Sequence, residues 1–229
     1  MADLLENETL RDRTRVFADR NDAGRQLAEV LRPKTEPGSM VLAIPAGGVP
    51  VGFEIAAALG LDFDLVLVRK VQIPWNTEAG FAAINMDSDL FVNEHLLALL
   101  NLSDDQIERQ INKTLAIIEQ RNARFRQNRP FPVVAGRAII LVDDGLASGY
   151  TMKAAVGYLR KRKPASITLA VPTGSAETVK MLRKEVDALC CLNIRSGYPY
   201  AVASAYRDWH DLDDEDVVRI MGMLKRLKA

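Results

Sequence analysis

The chain has 229 residues, and its 30 Lys and Arg are balanced by 30 Asp and Glu, so its formal net charge is zero. That balance lacks the basic excess of a nucleic-acid binder, and the length allows one well-buried α/β domain. No apolar run approaches the ~18 residues of a membrane span, and Met1-Ala2-Asp3-Leu4-Leu5-Glu6-Asn7-Glu8 is too acidic for a signal peptide. The expected setting is therefore cytoplasmic, without membrane or nucleic-acid partners. Cys190 and Cys191 are adjacent, and neighbours in a strand point to opposite faces, so buried thiols in a reducing cytosol are expected rather than a disulfide or a zinc site.

In chain order, Val16 to Leu31 carries a helical pattern that ends near Arg32-Pro33. Met40 to Ile44 reads as a short buried strand, followed by Pro45-Ala46-Gly47-Gly48. Pro50 then sits where a first helical turn accepts proline, and the helix runs to Leu59, where Gly60 stops it. Asp64 to Val68 reads as a second strand, ending in Arg69-Lys70. The next stretch, Val71 to Gly80, reads as a loop with Pro, Asn and Gly around Trp75. Gly80 to Met86 and Leu90 to Val92 form a hairpin pattern across Asp87-Ser88-Asp89. Ser103 and Gln106 make a capping box for a helix to about Gln127. Strand 138–142, helix 150–162, strand 166–171, helix 175–185 and strand 188–192 complete the pattern. Such alternation predicts an α/β fold with a doubly wound, mainly parallel sheet. A single domain over 1–229 is expected, with its core in about 40–70 and 138–192 and a helical and hairpin insertion over about 71–137.

The segment Ile139-Ile140-Leu141-Val142-Asp143-Asp144-Gly145-Leu146-Ala147-Ser148-Gly149-Tyr150-Thr151 carries the chemistry. An apolar strand ends in two carboxylates, at the end of an α/β sheet where ligands bind. The loop Gly145 to Thr151 then offers backbone N–H groups and two hydroxyls at a helix N-terminus, which suits a phosphate. Carboxylates would repel that phosphate, but they suit the two neighbouring hydroxyls of a ribose, directly or through a metal. Together they describe a site for ribose 5-phosphate.

These residues resemble the phosphoribosyl pyrophosphate (PRPP) motif of type I phosphoribosyltransferases, an apolar strand, two acids and a loop of the form G-x-x-[ST]-G-x-T. Two further segments, Phe17 to Gly24 and Tyr206 to Val217, resemble an uncharacterised branch of that family. The resemblance implies that Asp143 and Asp144 hold the ribose, with Mg²⁺ reached indirectly through ribose hydroxyls or water. Gly145, Leu146, Ala147, Ser148, Gly149, Tyr150 and Thr151 would bind the 5-phosphate. Ala46, Gly47 and Gly48 look like the family's pyrophosphate loop, which often contains a cis peptide; here Ala46–Gly47 is the expected bond. Arg69 and Lys70 would stand near pyrophosphate, where cations stabilise the charge of the leaving oxygens. Trp75 and Glu78 fall in a segment with the features of a lid, and Trp75 either covers a bound ring or packs against the long helix. Either 71–137 or 193–229 supplies the acceptor-binding hood, and a homodimer is expected.

Enzymes of this family acting on 6-oxopurines carry an acid where this chain has Ala147, which makes hypoxanthine and guanine less fitting acceptors. His95 and His210 have no partner spacing that marks them as catalytic. A P-loop needs four residues between its glycines and a following Lys, whereas Gly145 and Gly149 enclose three and Tyr150 follows. Gly47 to Gly52 fails the dinucleotide spacing, and the next strand ends in Arg69-Lys70 instead of an acid. The expected activity is transfer of ribose 5-phosphate from PRPP to a small nitrogenous acceptor, with a non-catalytic PRPP or nucleotide sensor as the alternative. A hydrolase would need an activated water, for which no residue is at hand.

Overall fold

The computed structural model describes residues 2–227, without the side chains of 77–78 and 224–227. Six strands form a parallel sheet in the order β1 (Asp3–Leu5), β9 (Ala188–Arg195), β8 (Ser166–Ser175), β7 (Ala138–Val142), β2 (Met40–Ala43) and β3 (Asp62–Leu65). β2 and β7 are buried along almost their whole length, as expected for central parallel strands covered on both faces. Helices α1 (Arg20–Leu31) and α2 (Gly48–Leu59) pack one face through Leu27, Val51 and Ile55 against Val41 and Ile140. Helices α5 (Tyr150–Arg160) and α6 (Ala176–Leu182) pack the other, placing Met152, Ala155 and Leu182 against Leu42, Ile139 and Leu141.

Local chemistry explains the boundaries. Asp19 caps α1 by accepting from the Asp22 N–H at 2.7 Å, so the helix starts at Arg20 and not at Val16. Phe17 instead lies in an extended bridge to Tyr206. Pro50 is the third residue of α2, where its missing N–H costs nothing, and Gly60 ends the helix at φ 65°. β1 is a three-residue strand that the sequence reading did not anticipate, since so short a run carries no periodicity.

The insertion is a second, antiparallel sheet of β4 (Val68–Ile73), β5 (Asn76–Asn85) and β6 (Leu90–Val92), followed by α3 (Glu94–Leu100) and α4 (Asp104–Arg126). The expected hairpin and capping box are both present; the Ser103 N–H donates to Gln106 Oε1 at 3.0 Å and the Gln106 N–H to Ser103 Oγ at 3.3 Å. The core strand, however, ends at Leu65, and the chain re-enters a strand at Val68. Arg69 and Lys70 thus belong to the insertion, and Val71 to Gly80 is a tight β4–β5 hairpin where a loop was expected. Arg126, 1% exposed, ties the insertion to the core by donating to both oxygens of Asp64 at 3.0 and 3.1 Å. Helix α7 (Asp214–Leu227) packs Val217 and Ile220 into the cluster that joins the insertion to α2.

Candidate active site

The connections from β2 and β7 leave the sheet in opposite directions, β2 toward β3 and β7 toward β8, and the two strands are direct neighbours. This is the switch point at which an open α/β sheet forms its ligand crevice. The loop after β2 is Ile44 to Gly47, and the loop after β7 is Asp143 to Gly149, so topology brings the two candidate phosphate loops together.

In the second loop, Leu146 is pinned to β8: its N–H donates to the Thr173 carbonyl at 2.9 Å, and its carbonyl accepts from the Ser175 N–H at 3.2 Å. Gly149 takes φ 81° to turn the chain into α5, a conformation that favours glycine. Among the described residues, no backbone N–H from Ala147 through Met152 finds a backbone acceptor, and the hydroxyls of Ser148 and Thr151 are hydrogen-bonded to nothing. Six unpaired donors at the positive end of an eleven-residue helix are the kind of groups that an anion can accept from.

The first loop contains a cis peptide, at Pro45–Ala46 and not at the expected Ala46–Gly47. Its glycines serve close packing. A Cβ on Gly47 would fall 2.0 Å from Asp144 Oδ2, and one on Gly48 would fall 2.7 Å from the Val142 carbonyl oxygen. Neither the Ala46 nor the Gly47 N–H has a backbone acceptor among the described residues.

Between the loops stand the two acids. Asp143 Oδ1 accepts from the Asp144 N–H at 2.8 Å. Asp144 Oδ2 accepts from Arg20 Nε at 2.9 Å, and the Asp144 carbonyl accepts from the Tyr206 hydroxyl at 2.6 Å. Burial, and then the charge of Asp144, push the Asp143 carboxyl well above the usual range. Burial also raises Asp144, against the opposing charge of Arg20. Arg20 itself lies 3.7 Å from the centre of the Trp209 ring and donates to the His210 carbonyl at 2.9 Å. Sequence reading missed Arg20, Tyr206 and Trp209 as site residues; their one signal was that segments 17–24 and 206–217 both stood out, and these meet at Asp144. His210 contributes only its backbone carbonyl here.

Arg69 and Lys70 are not brought together on one face. In the β4–β5 ladder Arg69 pairs with Ile84 and Lys70 with Ala83. Ile84 packs with Ile118 and Val217 toward α4 and α7, whereas Ala83 packs with Met152 and Ala155 toward α5. The two cations therefore occupy opposite faces. Burial and the charge of Arg121 push the Arg69 guanidinium down, with Asp214 opposing; Arg121 itself is paired with Asp214 at 2.7 Å. Trp75 stands at the hairpin tip with 64% of its surface exposed. The Glu78 side chain lies outside the described residues. Of the two hood candidates, 193–229 places Val202 where a Cβ on Gly145 would meet it at 2.5 Å, and its α7 joins the insertion through the Arg121–Asp214 pair.

Comparison with known proteins agrees with this layout. Residues 19–204 match the phosphoribosyl transferase domain. Two Mycobacterium tuberculosis proteins, "Putative phosphoribosyl transferase MT0597" of strain CDC 1551 and "Putative phosphoribosyl transferase Rv0571c" of strain H37Rv, are each 34% identical over 212 residues, 93% of this chain and 48% of theirs. The chain thus spans about half the length of these curated relatives. The crystal structure of TT1426 from Thermus thermophilus superposes with a TM-score of 0.72 at 35% identity, covering 90% of this chain and 97% of that one. With both acids, both loops and the parallel sheet in place, the chain belongs to the type I phosphoribosyltransferase family.

Proposed function

We propose that this chain transfers ribose 5-phosphate from PRPP to a small nitrogenous acceptor and releases pyrophosphate. The observation that carries this is the convergence of three features on one switch point: the six unpaired N–H groups of 147–152, the acid pair, and the first loop with Gly47 against Asp144. They match the 5-phosphate, the ribose diol and the pyrophosphate of one PRPP molecule, in that order.

In this reading the Gly145–Thr151 loop anchors the 5-phosphate, while Asp143 and Asp144 accept from the ribose hydroxyls. As the bond to pyrophosphate lengthens, the anomeric carbon becomes positive, and the nearby carboxylates favour that charge. Ala46 and Gly47 offer N–H groups to the departing pyrophosphate. Among the described residues no cluster of three or more His, Cys, Asp or Glu could cage a cation. Mg²⁺ keeps several waters and commonly binds substrate phosphates, so it fits here through PRPP oxygens, with the acid pair reaching it through ribose hydroxyls or water. Bound there, Mg²⁺ would offset the charge of the leaving pyrophosphate. Ala147 has no proton-accepting side chain, which favours acceptors other than 6-oxopurines. Buried free thiols at Cys190 and Cys191 favour a reducing, cytoplasmic setting.

The sensor reading gains from one feature: with Arg69 and Lys70 on opposite faces, no paired cation argues for pyrophosphate as a product. The deciding experiment follows pyrophosphate release from PRPP across a panel of nucleobases and small amines. Binding is tested by thermal shift, where PRPP with Mg²⁺ at a hundredfold excess over its Kd should add about 2.7 kcal/mol. A chain that ignores PRPP yet responds to ATP or NADP would sink the phosphoribosyl reading, and one that binds PRPP but turns over no acceptor would favour the sensor.

A further inference from the structure

Arg20 is a buried cation that the chemistry above leaves without a task. Its side chain is 8% exposed, and three contacts hold it. Nε donates to Asp144 Oδ2 at 2.9 Å, a terminal N–H donates to the His210 carbonyl at 2.9 Å, and Trp209 stacks on the guanidinium at 3.7 Å. Two edges and one face of the planar group are thereby used, which suits Arg and would not suit Lys as well. Asp144 is held from its other end by the Tyr206 hydroxyl on its carbonyl. Tyr206 and Trp209 are themselves in ring contact at 5.1 Å, so one C-terminal segment clamps both partners of the ion pair.

An oxygen count shows what this leaves available. Asp144 Oδ2 is taken by Arg20 and crowded by Gly47, and Asp143 Oδ1 is taken by the Asp144 N–H. Beyond the contact between the two acids and that of Asp144 with its own backbone, the second carboxylate oxygen of each acid meets no cationic donor among the described residues. Two acceptors, one per acid, match the two hydroxyls of a vicinal diol. They make a poor inner shell for a divalent cation, which seeks about six oxygen ligands and competes with a guanidinium already in place.

We propose that Arg20 is a resident counter-ion for the acid pair, a positioning residue that keeps divalent cations from ligating Asp144 directly and leaves the pair to receive a diol. The counter-ion role stands on the geometry alone; the diol role rests on the phosphoribosyl reading.

The test is a Mn²⁺ titration of the full, ligand-free chain, followed by electron paramagnetic resonance. The parent and Arg20→Lys should bind Mn²⁺ weakly, while Arg20→Gln should bind it at least tenfold more tightly, and adding Asp144→Asn should erase that gain. Equal Mn²⁺ affinity in the parent and Arg20→Gln would overturn the proposal. If Arg20→Gln fails to fold, Trp209→Leu, which strips the guanidinium of its stacking face, carries the same expectation, and no gain there overturns it. Calorimetry with ribose 5-phosphate and inorganic phosphate supplies the second arm. Arg20→Gln should lose about tenfold for the sugar phosphate and stay within twofold for phosphate; equal losses would reduce Arg20 to a structural role and overturn the diol assignment. A parent that binds neither ligand, alongside a Mn²⁺ gain in Arg20→Gln, would remove the phosphoribosyl reading and uphold the counter-ion.

Discussion

Gly47 approaches Asp144 so closely that a Cβ at position 47 would stand 2.0 Å from Oδ2 and 2.4 Å from Cγ. The loops after β2 and β7 are therefore interlocked, and a side chain on one displaces the carboxylate of the other. The absence of one methyl group lets the two loops stand in contact.

Gly47→Ala should cost about 1–3 kcal/mol through overpacking and abolish the thermal response to PRPP. Gly222→Ala makes the contrast, since that position in α7 is exposed with nothing within 4 Å. There alanine should gain up to about 1 kcal/mol from helix propensity. Scanning calorimetry on the two variants checks the opposite signs; an unperturbed Gly47→Ala would show that the loops are not interlocked.

Asp143→Asn and Asp144→Asn should each lower any transfer activity by about 10²-fold or more, the scale of one electrostatic contact in a preorganised site. Asp143→Asn should also stabilise the ligand-free fold at neutral pH. Burial and the Asp144 charge raise the Asp143 carboxyl in the folded chain, so its contribution is fully present below the unfolded value of 3.8 and is lost as pH rises through the folded one. The Asn variant escapes that loss. Its melting temperature should exceed the parent's at pH 7 and converge on it toward pH 4, with each kcal/mol reading as roughly 2–4 °C in a chain of this size. A gain that persists unchanged at pH 4 would point to another cause.

Opposite faces predict opposite phenotypes for the two cations of β4. Lys70→Ala, on the face turned toward α5, should weaken pyrophosphate binding while leaving ribose 5-phosphate within a few fold. Arg69→Ala, beside Arg121 and Asp214, should leave both affinities within a few fold and act on stability alone. Calorimetry of the two single variants with both ligands separates these outcomes, and matching losses in both variants would restore the pair as one unit.

Arg126→Ala should be the most destabilising of these changes, at about 3–5 kcal/mol, because it leaves Asp64 buried without its partner. Urea unfolding would measure it. A cost below about 1 kcal/mol would mean that the clamp between core and insertion is dispensable.

The parallel core was legible because buried strands and capped helices carry dense local signals: four apolar residues before Asp143, Pro50 and Gly60 around α2, Ser103 and Gln106 at α4. The loop from Gly145 to Thr151 was legible as a candidate phosphate site for the same reason, being one continuous stretch. What escaped was long-range. Arg20 meets Asp144 across 124 positions, and no local pattern marks an arginine at the start of a helix as a counter-ion. Arg69-Lys70 was read as the end of a core strand because Val66, Leu67 and Val68 continue the apolar run that begins at Leu65. Hydropathy does not register that hydrogen bonding passes from one sheet to another at that point. The expected cis bond was misplaced by one residue because the glycines were credited with relieving it, whereas they make room for Val142 and Asp144.

The register of β2 against β7 has a consequence for how this protein comes into being. Met40 faces Ile139 across the ladder, so the seam beneath the crevice joins segments roughly 100 residues apart, and closing so long a loop must precede any gain from pairing. The crevice cannot exist in a partly made chain: the first loop waits for the second, and the second waits for the segment bearing Tyr206 and Trp209. A ligand held there should slow amide exchange from β3 through β9 as one cooperative block, instead of protecting only the loops it touches.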